Sequence, residues 1–161
     1  MAVNVLQVDY ANPVHAAALV VLLDAYAQDP MGGGHGLSDY AKANLVPSLA
    51  ARPQAYSVLA FVDDQPAGLV NCIEGFSTFA CRPLVNVHDV AVLPQYRGQG
   101  VAEKMLVLAE VLAVKRGACK LTLEVLSGNV GAARLYERIG FAAYQLDPAM
   151  GQARFMQKLL N

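Results

Sequence analysis

Two glycines, two residues apart, sit where a β-branched run gives way to an amphipathic one, and they are the chain's clearest chemical signal. The stretch reads Val90-Ala91-Val92-Leu93-Pro94-Gln95-Tyr96-Arg97-Gly98-Gln99-Gly100-Val101-Ala102. The strand formers stop at Pro94 and a helical pattern starts at Val101, so strand, tight loop and helix N-terminus follow in order. Glycines at such a junction let the backbone come close to a ligand, and the first amides of the helix lack intrahelical acceptors. With the positive end of the helix dipole behind them, these amides suit an anion such as phosphate. A G-x-G also occurs in ordinary turns, and its place between strand and helix is what favours the anion site.

A mixed scaffold must hold that loop. Residues 3–8 read as a strand. Residues 13–28 read as a helix with Pro13 in its first turn and Val14, Ala18, Val21, Leu22 and Ala25 as its apolar stripe. A flexible glycine-rich loop spans 29–36. Ser38 then caps a second helix reaching about Leu45, which Pro47 ends or kinks. Strands follow at 56–62, 67–76 and 84–93, with turns at 63–66 and 78–83.

The helix at 101–116 places Val101, Met105, Leu108 and Leu112 on one face and stops at Gly117. A strand at 121–126 and a helix from Asn129 to Gly140, with Ala132, Leu135, Tyr136 and Ile139 inward, come next. Segments 141–145 and 153–160 read as a closing strand pair. The order β-αα-β-β-β-α-β-α-β-β defines an α/β (α+β mixed-sheet) class in one domain, residues 1–161. If the 78–83 turn centres on Ala80, Glu74 opposes Asn86 and Cys72 opposes His88, so Glu74, Asn86 and His88 share one sheet face. Asp89 then points to the other face, toward a loop partner.

Composition narrows the functional classes. The chain has 161 residues, 55% of them hydrophobic, and a formal net charge of −1. Its mean hydropathy is +0.35 and its pI is near 6.3. That balance argues against a nucleic-acid partner. No apolar run approaches the ~20 residues of a membrane span, and the first residues lack a signal-peptide pattern. The surplus of apolar residues suits a large core or a homodimer contact. Cys72, Cys81 and Cys119 are odd in number and widely spaced, which fits free thiols in the cytoplasm. His15, His35 and His88 lie far apart, and no metal-ligand spacing is present.

This order, with the loop from Gln95 to Ala102, resembles the GCN5-related N-acetyltransferase (GNAT) superfamily. The acetyl-CoA signature of that superfamily, Q/R-x-x-G-x-G/A, falls on Gln95, Gly98 and Gly100. A second signature falls on Asn129 and on Ala133-Arg134-Leu135-Tyr136-Glu137-Arg138-Ile139-Gly140-Phe141. The stretch from Phe76 to Val92 looks like the diamine and thialysine acetyltransferase branch. That branch often carries Glu-Asp where this chain has His88-Asp89.

The resemblance implies a GNAT acyl-CoA fold. It also implies an acetyl-CoA-dependent N-acetyltransferase, an acyltransferase moving a group other than aminoacyl, acting on a primary amine by direct attack on the thioester. It implies that Gln95, Arg97, Gly98, Gln99, Gly100, Val101 and Ala102 hold the pyrophosphate. Val90, Ala91 and Val92 would pair with the pantetheine arm as an added strand, with Asn129, Ala132 and Tyr136 lining it. Asn129 is equally a helix N-cap. Tyr136 matches the family's tyrosine, and a phenol with pKa near 10 can protonate the departing thiolate.

His88 occupies the family's frequent acidic position, and a histidine can accept the amine's proton near neutral pH. A strand histidine is otherwise a structural residue. Glu74 would assist His88, and an N–H near Val90 would polarise the thioester oxygen. Asp29 and Asp39, near the glycine-rich loop, could attract a cationic amine or stand simply as solvated carboxylates. Two other functions fit the same loop: acetylation of a protein N-terminus or lysine, and a non-catalytic acyl-CoA sensor.

Overall fold

The computed structural model describes residues 2–160. It divides into two compact units, Met1–Leu126 and Ser127–Asn161. In the first unit the strands β1 (Val3–Gln7), β2 (Ala55–Val62), β3 (Gln65–Ser77), β4 (Arg82–Val92) and β5 (Leu121–Leu123) form one sheet in sequential order. All pairs are antiparallel except β4 with β5. Helices α1 (Pro13–Gln28) and α2 (Asp39–Ala50) follow β1, and α3 (Val101–Lys115) joins β4 to β5.

The β2–β3 connection is a two-residue hairpin in which Asp63 and Asp64 both take positive φ, 47° and 62°. That geometry matches the right-handed twist of the flanking strands, and aspartate tolerates it better than most residues. Strand β2 is buried along its whole length, because helices cover both sheet faces. On one face Leu59, Phe61 and Leu69 meet Ala18, Leu19 and Leu22 of α1. On the other face lie the buried Val101, Met105, Leu106, Ala109 and Ala113 of α3. There Tyr56 donates its hydroxyl to the Ala109 carbonyl at 2.8 Å. A Cβ on Gly68 would stand 2.7 Å from Met105 Cε and 2.9 Å from the Ala91 carbonyl oxygen, so only glycine allows this helix-to-sheet approach. Fully buried Leu19, Leu59 and Leu69 each contribute about 2 kcal/mol of burial.

Several expectations need correction. Val14 and Val21 of α1 are 63% and 58% exposed, and the buried stripe is Ala18, Leu19 and Leu22. The helix is apolar nearly all round, so periodicity alone did not select the face. Helix α2 runs through Pro47 to Ala50. Ala43, whose carbonyl loses its donor there, is exposed, so water can satisfy it. In α3 the buried set is rotated toward Leu106, Ala109 and Ala113, which leaves Leu108 and Leu112 half-buried. The 29–36 segment is braced rather than loose. Asp29 caps the short turn Pro30–Gly32, and Asp24 Oδ1 accepts the Leu37 amide at 2.8 Å.

The second unit contains α4 (Val130–Arg138), capped by Asn129, with Tyr136 buried and Ala132, Leu135 and Ile139 half-buried as expected. The expected closing strands at 141–145 and 153–160 do not form. A 3₁₀ turn, Pro148–Met150, is the regular element after α4 among the described residues. Residues 142–160 are exposed. One face of a strand there, Arg154, Met156, Lys158 and Leu160, mixes charge with apolar groups, and the largely apolar other face, Ala153, Phe155 and Leu159 with Gln157, stays exposed, so no burial offsets the ordering entropy. Strand β5 likewise stops at Leu123 rather than Leu126, where its parallel ladder with β4 reaches Val87.

Among the described residues no helix is long and apolar enough to cross a membrane. No group of three or more His, Cys, Asp or Glu gathers there to hold a metal.

Candidate functional site

The glycine loop has the geometry its sequence implies. After β4, Pro94–Tyr96 makes a 3₁₀ turn, and Gly98 and Gly100 both adopt left-handed φ, 71° and 75°. Gly100 is the N-cap of α3, with no side chain capping the helix. The first intrahelical bond shown runs from the Lys104 amide to the Gly100 carbonyl at 3.1 Å. The Val101 and Ala102 amides therefore have no acceptor within the helix. Gln99 Nε2 bonds the Gln95 carbonyl at 2.9 Å, which braces the loop across its mouth.

Beside the loop, β4 presents an open edge. Among the described residues its ladder with β5 covers Val85 to Val87, and Asp89 to Val92 pair with β3 alone. The Leu93 amide donates to Ala67 on the β3 side at 2.9 Å, so the Val92 carbonyl in the same peptide unit points to the open side. By strand alternation the N–H and C=O of Val90 also face that side, and those of Ala91 face β3. The open edge and the uncapped turn of α3 together present the donors that an elongated, phosphate-ended molecule with amide groups would need.

Arg97, expected to reach the pyrophosphate, is already engaged. Its Nε bonds the Val92 carbonyl at 2.9 Å and its Nη2 meets Asp29 Oδ2 at 2.9 Å. The arginine straps the loop both to the end of β4 and to the end of α1. Arg97, followed by the Met31 amide, holds the Asp29 carboxyl below the usual carboxylate range.

The polar cluster expected at Glu74, Asn86 and His88 is not formed. Four turn residues lie between Ser77 and Arg82, so the hairpin centres between Phe79 and Ala80, and Glu74 opposes Val85 while Ile73 opposes Asn86. Cys81, at φ 52°, closes this turn. Glu74 thus falls on the α3 face, where its Oε2 meets Arg116 Nη1 at 3.1 Å. Arg116 in turn lies 4.7 Å over the Tyr56 ring. Asn86 lies on the opposite face and accepts from Thr122 Oγ1 at 3.0 Å. His88 is exposed and is the extra residue of a β-bulge, because Val87 pairs with Cys72 and Asp89 with Asn71. Beyond the bulge the pairing returns to the register centred on Ala80.

The bulge turns Asp89 onto the α1 face, and its partner there is not a loop. Asp89 Oδ2 accepts from Asn71 Nδ2 at 3.0 Å, Asn71 Oδ1 accepts from Ser57 Oγ at 2.6 Å, and Ser57 Oγ lies 2.8 Å from Tyr10 Oη. Ser57 and Asn71 are both buried, and leaving either unsatisfied would cost about 1–3 kcal/mol. Tyr26 belongs to the same neighbourhood. Burial first, and then the carboxylates of Asp89 and Asp29, raise its phenol above the ordinary value. Sequence reasoning missed Asn71, Ser57 and Tyr26. The available signal was a single polar residue inside each of two apolar strands, AYSVLAFV and GLVNCI.

In the second unit, Asn129 caps α4 by accepting the Ala132 amide on Oδ1 at 3.3 Å, which leaves its Nδ2 outside the cap. The Tyr136 ring meets Phe141 edge-on, with centroids 5.9 Å apart.

Residues 21–141 match the family model described as Acetyltransferase (GNAT) family, and the chain belongs to that family. An uncharacterized N-acetyltransferase of Archaeoglobus fulgidus is 29% identical over 71% of this chain and 82% of its own length. The streptothricin acetyltransferase of Streptomyces lavendulae is 38% identical over 42% of this chain and 36% of its own length. The thialysine N-epsilon-acetyltransferase of Mus musculus is 37% identical over 40% of this chain and 38% of its own. The chain thus spans little more than a third of those two enzymes. The solved structure of AAC(6')-Iy, in complex with the bisubstrate analogue CoA-S-monomethyl-acetylneamine, shares the fold at a TM-score of 0.76 and 17% identity. That match covers 99% of this chain and 100% of that one.

Proposed function

We propose that this chain, as one acetyltransferase domain, transfers the acetyl group of acetyl-CoA to a primary amine of a small cationic molecule. One observation carries the reading: the edge of β4 at Val90 and Val92, with no strand beside it among the described residues, leads directly into the Gly98–Gly100 loop and the uncapped first turn of α3. An acyl-CoA fits that pair of features, with phosphates on the loop and first-turn amides and its amide-bearing arm along the strand edge. Bound there, it supplies an activated thioester carbonyl. Arg97 keeps the loop at the end of β4.

The chemistry follows from these groups. The ammonium of the acceptor gives one proton to His88, directly or through water, and the freed amine attacks the thioester carbonyl. The Val90 N–H stabilises the charge that gathers on the carbonyl oxygen. As the new C–N bond forms and the C–S bond breaks, the Tyr136 phenol gives its proton to the thiolate. The second amine proton restores the phenol, and His88 releases its own to solvent. Glu74 has no part in this sequence, because its carboxylate is held by Arg116 on the α3 face.

Three free thiols, Cys72, Cys81 and Cys119, suit the cytoplasm, and light scattering would check the expected homodimer. The deciding experiment measures free-thiol release from acetyl-CoA with a panel of diamines, aminoglycosides, lysine analogues and peptides. Turnover with small cationic amines supports the reading, whereas preference for peptides would favour a protein acetyltransferase. Tight acetyl-CoA binding without thiol release from any acceptor would mark a sensor and sink the enzyme reading.

A further inference from the structure

The hydrogen-bond chain behind Asp89 has a fixed direction. An amide oxygen cannot donate, so the 2.6 Å contact requires Ser57 to give its proton to Asn71 Oδ1. With that proton committed, Tyr10 must be the donor in its 2.8 Å contact with Ser57 Oγ. Burial keeps the Tyr10 phenol protonated, which agrees with that direction. Asn71 then donates Nδ2 to Asp89 Oδ2 at 3.0 Å. Each donor therefore points from the β1–α1 junction toward β4, and the chain ends on a carboxylate. Aligned hydrogen bonds of this kind polarise one another. The carboxylate lies between the bulge residue His88 and Val90, whose N–H faces the open edge of the sheet. Only Oδ2 is used by the chain.

We propose that Asn71, backed by Ser57 and Tyr10, is a positioning residue that fixes the Asp89 carboxyl through Oδ2 and leaves Oδ1 for the ammonium of the acetyl acceptor. The inference rests on the N-acetyltransferase reading and adds to it the group that selects a cation. Asp89 anchors the acceptor beside the strand where the thioester carbonyl is polarised, and His88 takes the proton. The carboxylate would swing about its own side-chain torsions without Asn71, and the acceptor would lose its register.

The test uses the full chain and whichever amine of the panel is turned over fastest. Asn71→Ala should raise the amine KM about tenfold, the size of one charge-assisted hydrogen bond lost. Ser57→Ala should raise it less and Tyr10→Phe least, with acetyl-CoA affinity within twofold of the parent throughout. In an Asp89→Asn background, which itself weakens the amine, Asn71→Ala should add almost nothing. A structural role alone would give additive losses and would move both substrates. Should Asn71→Ala fail to fold, the comparison of Ser57→Ala with and without Asp89→Asn decides the same point. Additive effects, or an unchanged amine KM, would overturn the inference while leaving the acetyltransferase reading in place. Absence of turnover by the parent enzyme would overturn both.

Discussion

Gly100 offers the sharpest test of the donor site. It sits at φ 75°, ψ 9° as the N-cap of α3, and a Cβ built there meets nothing within 4 Å. Gly100→Ala therefore introduces no clash, only the left-handed penalty of about 1–2 kcal/mol. For a chain of this length that lowers Tm by roughly 2–8 °C. Gly117, at φ 77° and equally unobstructed, closes the opposite end of the same helix. Gly117→Ala should match Gly100→Ala in Tm and serves as its control.

The two variants should part in donor binding. A backbone twisted away from the left-handed region at Gly100 misdirects at least one amide of the proposed phosphate site. A hydrogen bond to a charged group is worth about 1.5–3 kcal/mol, so the Kd for acetyl-CoA should rise about 10- to 100-fold. Isothermal titration of each variant with acetyl-CoA reads this directly, and Gly117→Ala should bind like the parent. Equal Tm losses with both Kd values within twofold of the parent would refute the assignment of the loop as the phosphate site.

Tyr136→Phe should lower kcat about 100-fold or more while acetyl-CoA affinity holds, and unchanged kcat in a stopped-flow thiol assay would remove the phenol from the mechanism. Glu74→Gln should cost only a small loss in Tm, since its ion pair with Arg116 is partly exposed, and a tenfold fall in kcat would instead return Glu74 to the acceptor site. Burial pushes the Cys72 thiol up to about 12, so brief alkylation of the native chain should label exposed Cys81 and Cys119 and spare Cys72, as read by peptide mass spectrometry. Cys72 stays protonated in the fold above pH 9.0, where the unfolded chain ionises. Its contribution to stability is full below that pH and lost as pH climbs toward about 12. Burial raises the Tyr10 and Tyr56 phenols in the same sense, and a Tm that stayed flat from about pH 8 to 11 would contradict these assignments.

The scaffold was legible in the sequence wherever one local rule decided it. Pro13 started α1, Gly117 ended α3, and the strand-loop-helix junction at Gly98 and Gly100 stood out without any structure. The faces and registers were less legible, because those depend on residues that the local pattern treats alike. Helix α1 offers apolar side chains on every side, so which ones are buried is set by the sheet. The 78–81 turn holds four residues instead of an odd number, and that single count moved Glu74 to the opposite face from Asn86. The bulge at His88 then reversed the slip, which no periodicity argument on one strand can detect. The register expected around Ala80 already sets Asn71 opposite Asp89, and the bulge restores it; what the strand pattern alone did not show was the onward link through Ser57 to Tyr10.

The open half of β4 also has a kinetic signature. Amides at Asp89 and Ala91 point into the ladder with β3, whereas those at Val90 and Val92 point to the unpaired side. In hydrogen exchange the strand should therefore show a protected-unprotected alternation, residue by residue, beginning immediately after His88. A bound acyl-CoA would slow Val90 and leave Ala91 as it was. One strand thus records, in the deuterium content of adjacent residues, both the permanence of the fold and the occupancy of its edge.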